Sequence, residues 1–251
     1  MSKKAENIGQ QFMSNTRYDK ISQSDQQKDI PPPPKYWDLQ AEKVIDLSSP
    51  EDFSLPRTDM FAAIEERRSH RKFTSRPLTR EEISILTYYT QGVKRDLSGG
   101  ASLRTVPSAG ARHALETFIY LDKGKNLTRG IYHYRPDEHD LALIESGDFQ
   151  QEVTRSALGQ DHAGQAAAVF FWAADSYRMC WRYSERGYRY LHLDAGHVCQ
   201  NLYLAAEAID AGVCAIAAFD DEYTNDLLNL DGSDNFVIYM AALGSLQQAE
   251  N

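Results

Sequence analysis

Arginine fills three of the five positions in Arg67-Arg68-Ser69-His70-Arg71. Its rigid fork of N–H donors engages phosphate oxygens two at a time, and the Ser69 hydroxyl could donate to an oxygen or a ring nitrogen. Further along, Pro107-Ser108-Ala109-Gly110 is a turn of small residues whose backbone can come close to a ligand. A third group is the run from Trp181 to Tyr190, WRYSERGYRY, where Tyr183 could donate a proton and Arg182 or Arg189 could hold an anion. Each has a plainer reading. The arginines also suit a solvated helix end, the turn suits a simple connection, and the aromatic run suits an amphipathic surface.

Two other groups carry less chemistry. His192, Asp194 and His197 have ligand side chains, but their offsets of two and five residues do not share a helix face well, so no metal site is expected. Cys180, Cys199 and Cys214 are odd in number and fit neither a zinc ligand set nor a disulfide framework, and they read as buried small hydrophobes. Neither a Gly-x-Gly-x-x-Gly stretch nor a P-loop occurs.

The elements that must position these groups follow from the hydrophobic pattern. A helix is predicted over 60–66, just before the arginines, and another follows a capping box at Thr79 and Glu82, with Ile83, Leu86 and Tyr89 along one face. Strands are expected at 115–121, 130–134 and 141–144, and the apolar run 166–174 (AAAVFFWAA) reads as a central, doubly covered strand. The longest helix is expected from about Tyr188 to Ala211, ended by Gly212, with small and apolar faces that suit a subunit interface. Strand 213–218, helix 220–230 and strand 236–243 complete an α+β or mixed α/β domain with strands of both pairing types. Residues 1–44 form a polar arm containing Pro31-Pro32-Pro33-Pro34, and the compact domain is taken as 45–251. A net charge of −9 argues against nucleic acid as the main partner. With no bilayer-spanning apolar run and no secretory signal, a cytoplasmic protein without membrane association is the default.

In their common order these segments resemble the nitroreductase superfamily, most closely its SagB/ThcOx-type (McbC-like) dehydrogenases. The resemblance rests on Arg67-Arg68-Ser69 with Arg71 and Phe73, Pro77-Leu78 before the Glu81-Glu82 helix, and Leu103 to Gly110 with Glu116. It continues through Gly130-Ile131-Tyr132-His133-Tyr134, Arg186 to Tyr190, Ala195-Gly196-His197, Gln200 to Leu204 and Ala218 to Asp221. It implies a mostly antiparallel central sheet flanked by helices, in an intertwined homodimer with FMN at the subunit interface. Arg67 and Arg71 would hold the flavin phosphate, while Arg68 and Ser69 would contact the ribityl chain or the pyrimidine side of the ring. Pro107, Ser108, Ala109 and Gly110 would reach the isoalloxazine from the other subunit, and Ala217 and Ala218 would cover its other side. NADH or NADPH is the candidate electron donor.

Substrate is less determined by the resemblance. Azoline dehydrogenases of this branch carry a Lys-Tyr pair where this chain has Arg182-Tyr183. Arginine stays charged and cannot serve as a base, so an oxidoreductase for a small organic substrate is the leading expectation. Tyr183 and Arg182 are its candidate catalytic residues. Two other expectations stand beside it: azoline oxidation in a modified peptide, and a flavin-binding interaction subunit with little turnover. Arg112-His113-Ala114 and Asp234-Asn235 also depart from the pattern of the branch.

Overall fold

The computed structural model describes residues 7–54, 59–98 and 101–247, so the start of the expected arm and the last residues of the expected domain lie outside the described residues. Helix α1 (Ile8–Asn15) opens the chain, capped reciprocally by Asn7 and Gln10. Strand β1 (Lys43–Asp46), helix α2 (Met60–Glu66) and helix α3 (Arg80–Gln91) follow, and Thr79 and Glu82 form the expected capping box on α3. Ile83 and Leu86 of α3 are buried, whereas Tyr89 is 40% exposed and is not part of that packed face. A hairpin of β2 (Val93–Leu97) and β3 (Ala101–Arg104) stands apart from the main sheet.

Strands β4 (Leu115–Leu121), β5 (Gly130–Arg135) and β6 (Asp140–Ser146) lead to helices α4 (Gln150–Ser156) and α5 (Asp161–Gln165). Strand β7 (Ala168–Asp175), helix α6 (Ser176–Tyr183) and helix α7 (Gly187–Glu207) come next. Strand β8 (Ala211–Ile216), helix α8 (Asp221–Leu227) and strand β9 (Asn235–Ser245) finish the fold. The main sheet has the order β1-β6-β5-β4-β7-β9-β8. Every ladder in it is antiparallel, against the expectation of both pairing types. Parallel pairing is confined to isolated bridges, Ser69 with Val213 and Leu78 with Gly124.

β7 is central, as its continuous apolar run predicts. Successive side chains point to opposite faces, so Phe170 and Trp172 enter one core with Leu191, Val198 and Leu202 of α7. Val169 and Phe171 enter the other with Val153 of α4 and Ala163 of α5. The long helix stops at Glu207 rather than Ala211, because Asp210 takes a left-handed backbone (φ 52°) and the chain turns directly into β8. Gly212 is therefore a strand residue and not the helix stop. A Cβ there would lie 2.7 Å from that of His70, so glycine permits the close passage of the arginine segment.

Candidate functional site

The arginine segment leaves α2 at Arg67, whose extended ψ of 125° ends the helix. The His70 N–H donates to the Val213 carbonyl at 2.9 Å, which lays the segment along β8. Tyr203 of α7 fixes it from below: its hydroxyl shares a 3.0 Å hydrogen bond with Ser69 Oγ and accepts one from the Ala215 N–H at 2.9 Å. The Arg67 guanidinium lies over the same ring, 5.2 Å from its centroid. Arg68, Ser69 and Arg71 are left exposed.

Among the described residues none of these three arginines forms an ion pair with a carboxylate. Burial and the neighbouring Glu66 raise the pKa of Glu207, with Arg67 and Arg68 opposing. Near Arg71 stand two groups that are neutral at pH 7. Burial pushes the Cys214 thiol up, Arg71 opposing, and burial together with Arg71 pushes His162 down. Ala217 and Ala218 follow β8 and are exposed, the Ala218 carbonyl accepting from Gln160 Nε2 at 2.8 Å. The segment thus presents fixed positive charge beside a small-residue strand end, a combination that suits an anion with a flat body.

The second group is built on α7 and α6. Ser108 Oγ donates to Asp194 Oδ2 at 2.6 Å and accepts from the His113 N–H at 2.9 Å, while the Ala109 N–H donates to the Asp194 carboxylate at 3.2 Å. Burial raises the pKa of Asp194, and the bonds from Ser108 and Ala109 oppose that rise. Of the three residues that looked like ligands, Asp194 therefore faces inward as the anchor of the turn, while His192 and His197 are exposed. Gly110 has φ 58°, and a Cβ on it would lie 2.5 Å from the Tyr183 hydroxyl and 2.7 Å from Arg182 Nε. The Pro107 to Gly110 turn and the Arg182–Tyr183 pair are thus brought together within one chain.

A buried ionic cluster fixes α6. Arg178, fully buried, donates from Nη1 to Glu116 Oε1 at 2.7 Å and to the His113 carbonyl at 3.1 Å. Its Nη2 lies 3.2 Å from Asp175, whose other oxygen caps the helix by accepting from the Arg178 N–H. Burial alone would raise the Glu116 pKa, but Arg178 and a 2.9 Å bond with His133 Nε2 hold it below the usual carboxylate range. Burial and the adjacent Arg104 push His113 down to about 3, so that ring is neutral.

Residues 12–37 run over the same helices. Trp37 Nε1 donates to Asp175, Trp181 Nε1 to the Ile30 carbonyl, and Tyr177 Oη to Asp25. Arg186 and Arg189, exposed-run residues by sequence, both point into this strap: Arg186 Nη1 donates to the Thr16 carbonyl and Arg189 Nε to Thr16 Oγ1. Arg189 also donates to the Met13 carbonyl and is thereby committed to the chain's own arm. Sequence reasoning did not find Tyr203 or Arg178 as positioning residues. Both lie on helical faces whose neighbours read as ordinary packing, and no local motif marks a contact between distant segments.

The Nitroreductase family model matches residues 64–245, which includes both groups. A nitroreductase-type protein of Methanocaldococcus jannaschii is 34% identical over 164 residues, 65% of this chain and 81% of that protein. The microcin B17-processing protein of Escherichia coli is 28% identical over 138 residues, 53% of this chain and 50% of that protein. This chain spans about half the length of the microcin and trifolitoxin relatives it matches. Among solved structures, a nitroreductase-type protein of Anabaena variabilis superposes with a TM-score of 0.69 at 30% identity, over 83% of this chain and 44% of that one. On the match across most of its length, the chain belongs to the nitroreductase family of oxidoreductases.

Proposed function

We propose that this chain is an FMN-dependent oxidoreductase for a small organic substrate, working as a homodimer in which each flavin site draws on both subunits. The observation that carries the reading is the arginine segment: Arg67, Arg68 and Arg71 lie beside β8 with no carboxylate paired to them among the described residues. They would hold the phosphate, with Ser69 on the ribityl chain or ring edge and Ala217 and Ala218 against the ring. The turn from Pro107 to Gly110 packs against α7 at a different place, through Asp194. Its anchor Asp194 and the arginine anchor Tyr203 are nine positions apart, roughly 14 Å along a helix that rises about 1.5 Å per residue. Exposed residues include Leu193 and Gly196 of α7 and Met60, Phe61 and Ile64 of α2, which packs against α7, and such exposed apolar groups suit a second copy. A partner's turn would then complete the first chain's arginine segment.

FMN bound there supplies the two-electron chemistry, and the protein orients and shields. Tyr183 would deliver or receive a proton at its hydroxyl, and Arg182 would hold substrate. Residues from about 45 onward, with the first strand reaching back to Lys43, would form the flavin-binding domain, and the preceding arm its cover. NADH or NADPH would be the electron donor. A second reading, azoline oxidation in a modified peptide, is favoured by the likeness to the microcin B17-processing protein and the trifolitoxin-processing protein. Arg182 in place of a lysine weighs against it. The test is FMN titration of the purified chain. It should turn yellow and bind one FMN per chain, and Arg67→Ala should weaken binding by about 1.5–3 kcal/mol, as for loss of a hydrogen bond to a charged group. Protein that stays colourless and takes up no flavin absorbance sinks the reading.

A further inference from the structure

The cations around Ser184 are used unequally. Arg186 donates to the Thr16 carbonyl at 2.9 Å and to Tyr190 Oη at 2.8 Å, and Arg189 donates to Thr16 Oγ1 at 2.6 Å and to the Met13 carbonyl. Both are consumed in fastening the N-terminal arm to α7. Arg178 is consumed by Glu116 and Asp175. Arg182 is not consumed. Its Nε is 3.2 Å from the Tyr183 hydroxyl, and among the described residues no carboxylate is paired with it.

Opposite Arg182 the arm forms a wall. Tyr18, Ser22, Gln23 and Gln27 enclose, with Arg182 and Tyr183, a cleft of about 550 Å³. Small-molecule sites commonly run from roughly 300 to 1,000 Å³. The residues lining the wall are uncharged and rich in hydroxyl and amide groups; of the carboxylates behind it, Asp25 is occupied by Tyr177 and Lys28, and Glu185 accepts from Ser184 and Ser22. The wall is also tied down, since Tyr18 and Tyr190 share a 2.6 Å hydrogen bond and Ser22 and Ser184 one of 2.8 Å. Behind the floor lies Arg112, buried and stacked over Trp181 at 5.1 Å. Burial is the main cause that pushes its pKa down; the Arg182 charge pushes the same way and Tyr183 opposes, so the two guanidiniums stand close enough to feel each other. The same Arg182 and Tyr183 touch the Gly110 turn, which places the cleft next to the proposed flavin contact.

Resting on the flavin reading above, we propose that the cleft between the arm and α6 is the substrate pocket and that it takes a small organic carboxylate, held by Arg182 and walled by the arm. Carboxylate is the group a single, half-exposed guanidinium beside neutral hydroxyl and amide partners recognises by paired N–H···O bonds.

The test is calorimetric binding of 4-nitrobenzoate and its neutral near-isostere 4-nitrobenzamide to the full chain, with and without FMN. The carboxylate should bind at least about tenfold more tightly, equivalent to about 1.4 kcal/mol. Arg182→Gln should remove that preference. Gln27→Glu keeps the oxygen that accepts from the Ser24 N–H at 2.9 Å, yet places a charge in the wall. It should weaken 4-nitrobenzoate about tenfold more than it weakens the amide, by repulsion between like charges. Equal affinities for the two probes in the wild-type chain overturn the proposal, as does a preference that persists in folded Arg182→Gln. If Arg182→Gln fails to fold, Gln27→Glu decides, and an unchanged preference there overturns the proposal. Flavin uptake is read separately by absorbance: a yellow protein without carboxylate preference refutes the pocket alone, and a colourless one refutes the flavin reading.

Discussion

Alanine at Gly110 tests the joint between the turn and the α6 pair. Gly110 has φ 58°, and its missing Cβ would fall 2.5 Å from Tyr183 Oη, 2.7 Å from Arg182 Nε and 2.8 Å from Arg182 Cδ. The left-handed backbone costs a non-glycine residue roughly 1–2 kcal/mol. The steric cost sits at the low end of the roughly 1–3 kcal/mol seen for overpacking, because both side chains can rotate away. Together these give a loss of about 2–3 kcal/mol of stability, read as a lower urea midpoint with an unchanged slope. Relief moves Arg182 and Tyr183, so binding of 4-nitrobenzoate should fall about tenfold as well. Gly110→Asn separates the two costs, since asparagine tolerates the left-handed region but keeps the clash. It should recover part of the stability and none of the binding. A Gly110→Ala protein within about 0.5 kcal/mol of wild type, the range of a surface substitution without consequence, and with unchanged probe affinity would refute the reasoning.

Three further substitutions probe the anchors. Tyr203→Phe leaves the Ala215 N–H without its acceptor and frees Ser69. It should cost about 1–3 kcal/mol in urea unfolding, and FMN affinity should fall with it if the arginine segment is the phosphate site. Asp194 has its folded pKa raised by burial, so the native state holds the proton more tightly than the unfolded chain. Its favourable contribution is present below the unfolded pKa of about 3.9 and is lost as pH rises through the higher folded value. The stability of wild type relative to Asp194→Asn should therefore decline across that acidic window and then level off. A difference that grows with pH would contradict the assignment. Glu116→Ala takes the nearer of two carboxylates from the buried Arg178 and leaves Asp175 at 3.2 Å, so it should cost about 3 kcal/mol, the low end for breaking a buried pair, measured by the same unfolding curves.

These anchors also mark where the sequence is legible. β7 could be read because AVFFWAA, residues 168–174, has no polar interruption, as suits a strand covered on both faces. The place of the arginine segment could be read, because the helical pattern runs out at Glu66; its charge alone suits a solvated helix end as well as an anion site, and only the ordered resemblance separates the two. The end of α7 could not. The stretch from Ala205 to Gly212 is mostly small through both the helix and β8, broken only by Glu207 and Asp210, and what separates the two elements is the left-handed conformation of Asp210, which an aspartate also forgoes in most of its positions. The pairing of β8 with the arginine segment was hidden for a related reason: it is a single bridge between positions far apart in sequence.

The WRYSERGYRY run shows the limit most clearly. By composition Arg182 and Arg189 are equivalent, and either could hold an anion. Their difference comes from the arm, whose Thr16 and Met13 carbonyls accept from Arg186 and Arg189 and leave Arg182 alone. Arm carbonyls are present in any sequence, so nothing in the local motif could announce which arginine they would take. The α6 helix that carries Arg182 is in turn set by Arg178 on Glu116, a β4 residue, and by Asp175 under Trp37 of the arm. The Arg182–Tyr183 pair is therefore positioned by one ion pair through the core and one strap over the surface. That is why a change in the arm, such as Gln27→Glu, should alter which ligand the pair accepts without touching either residue.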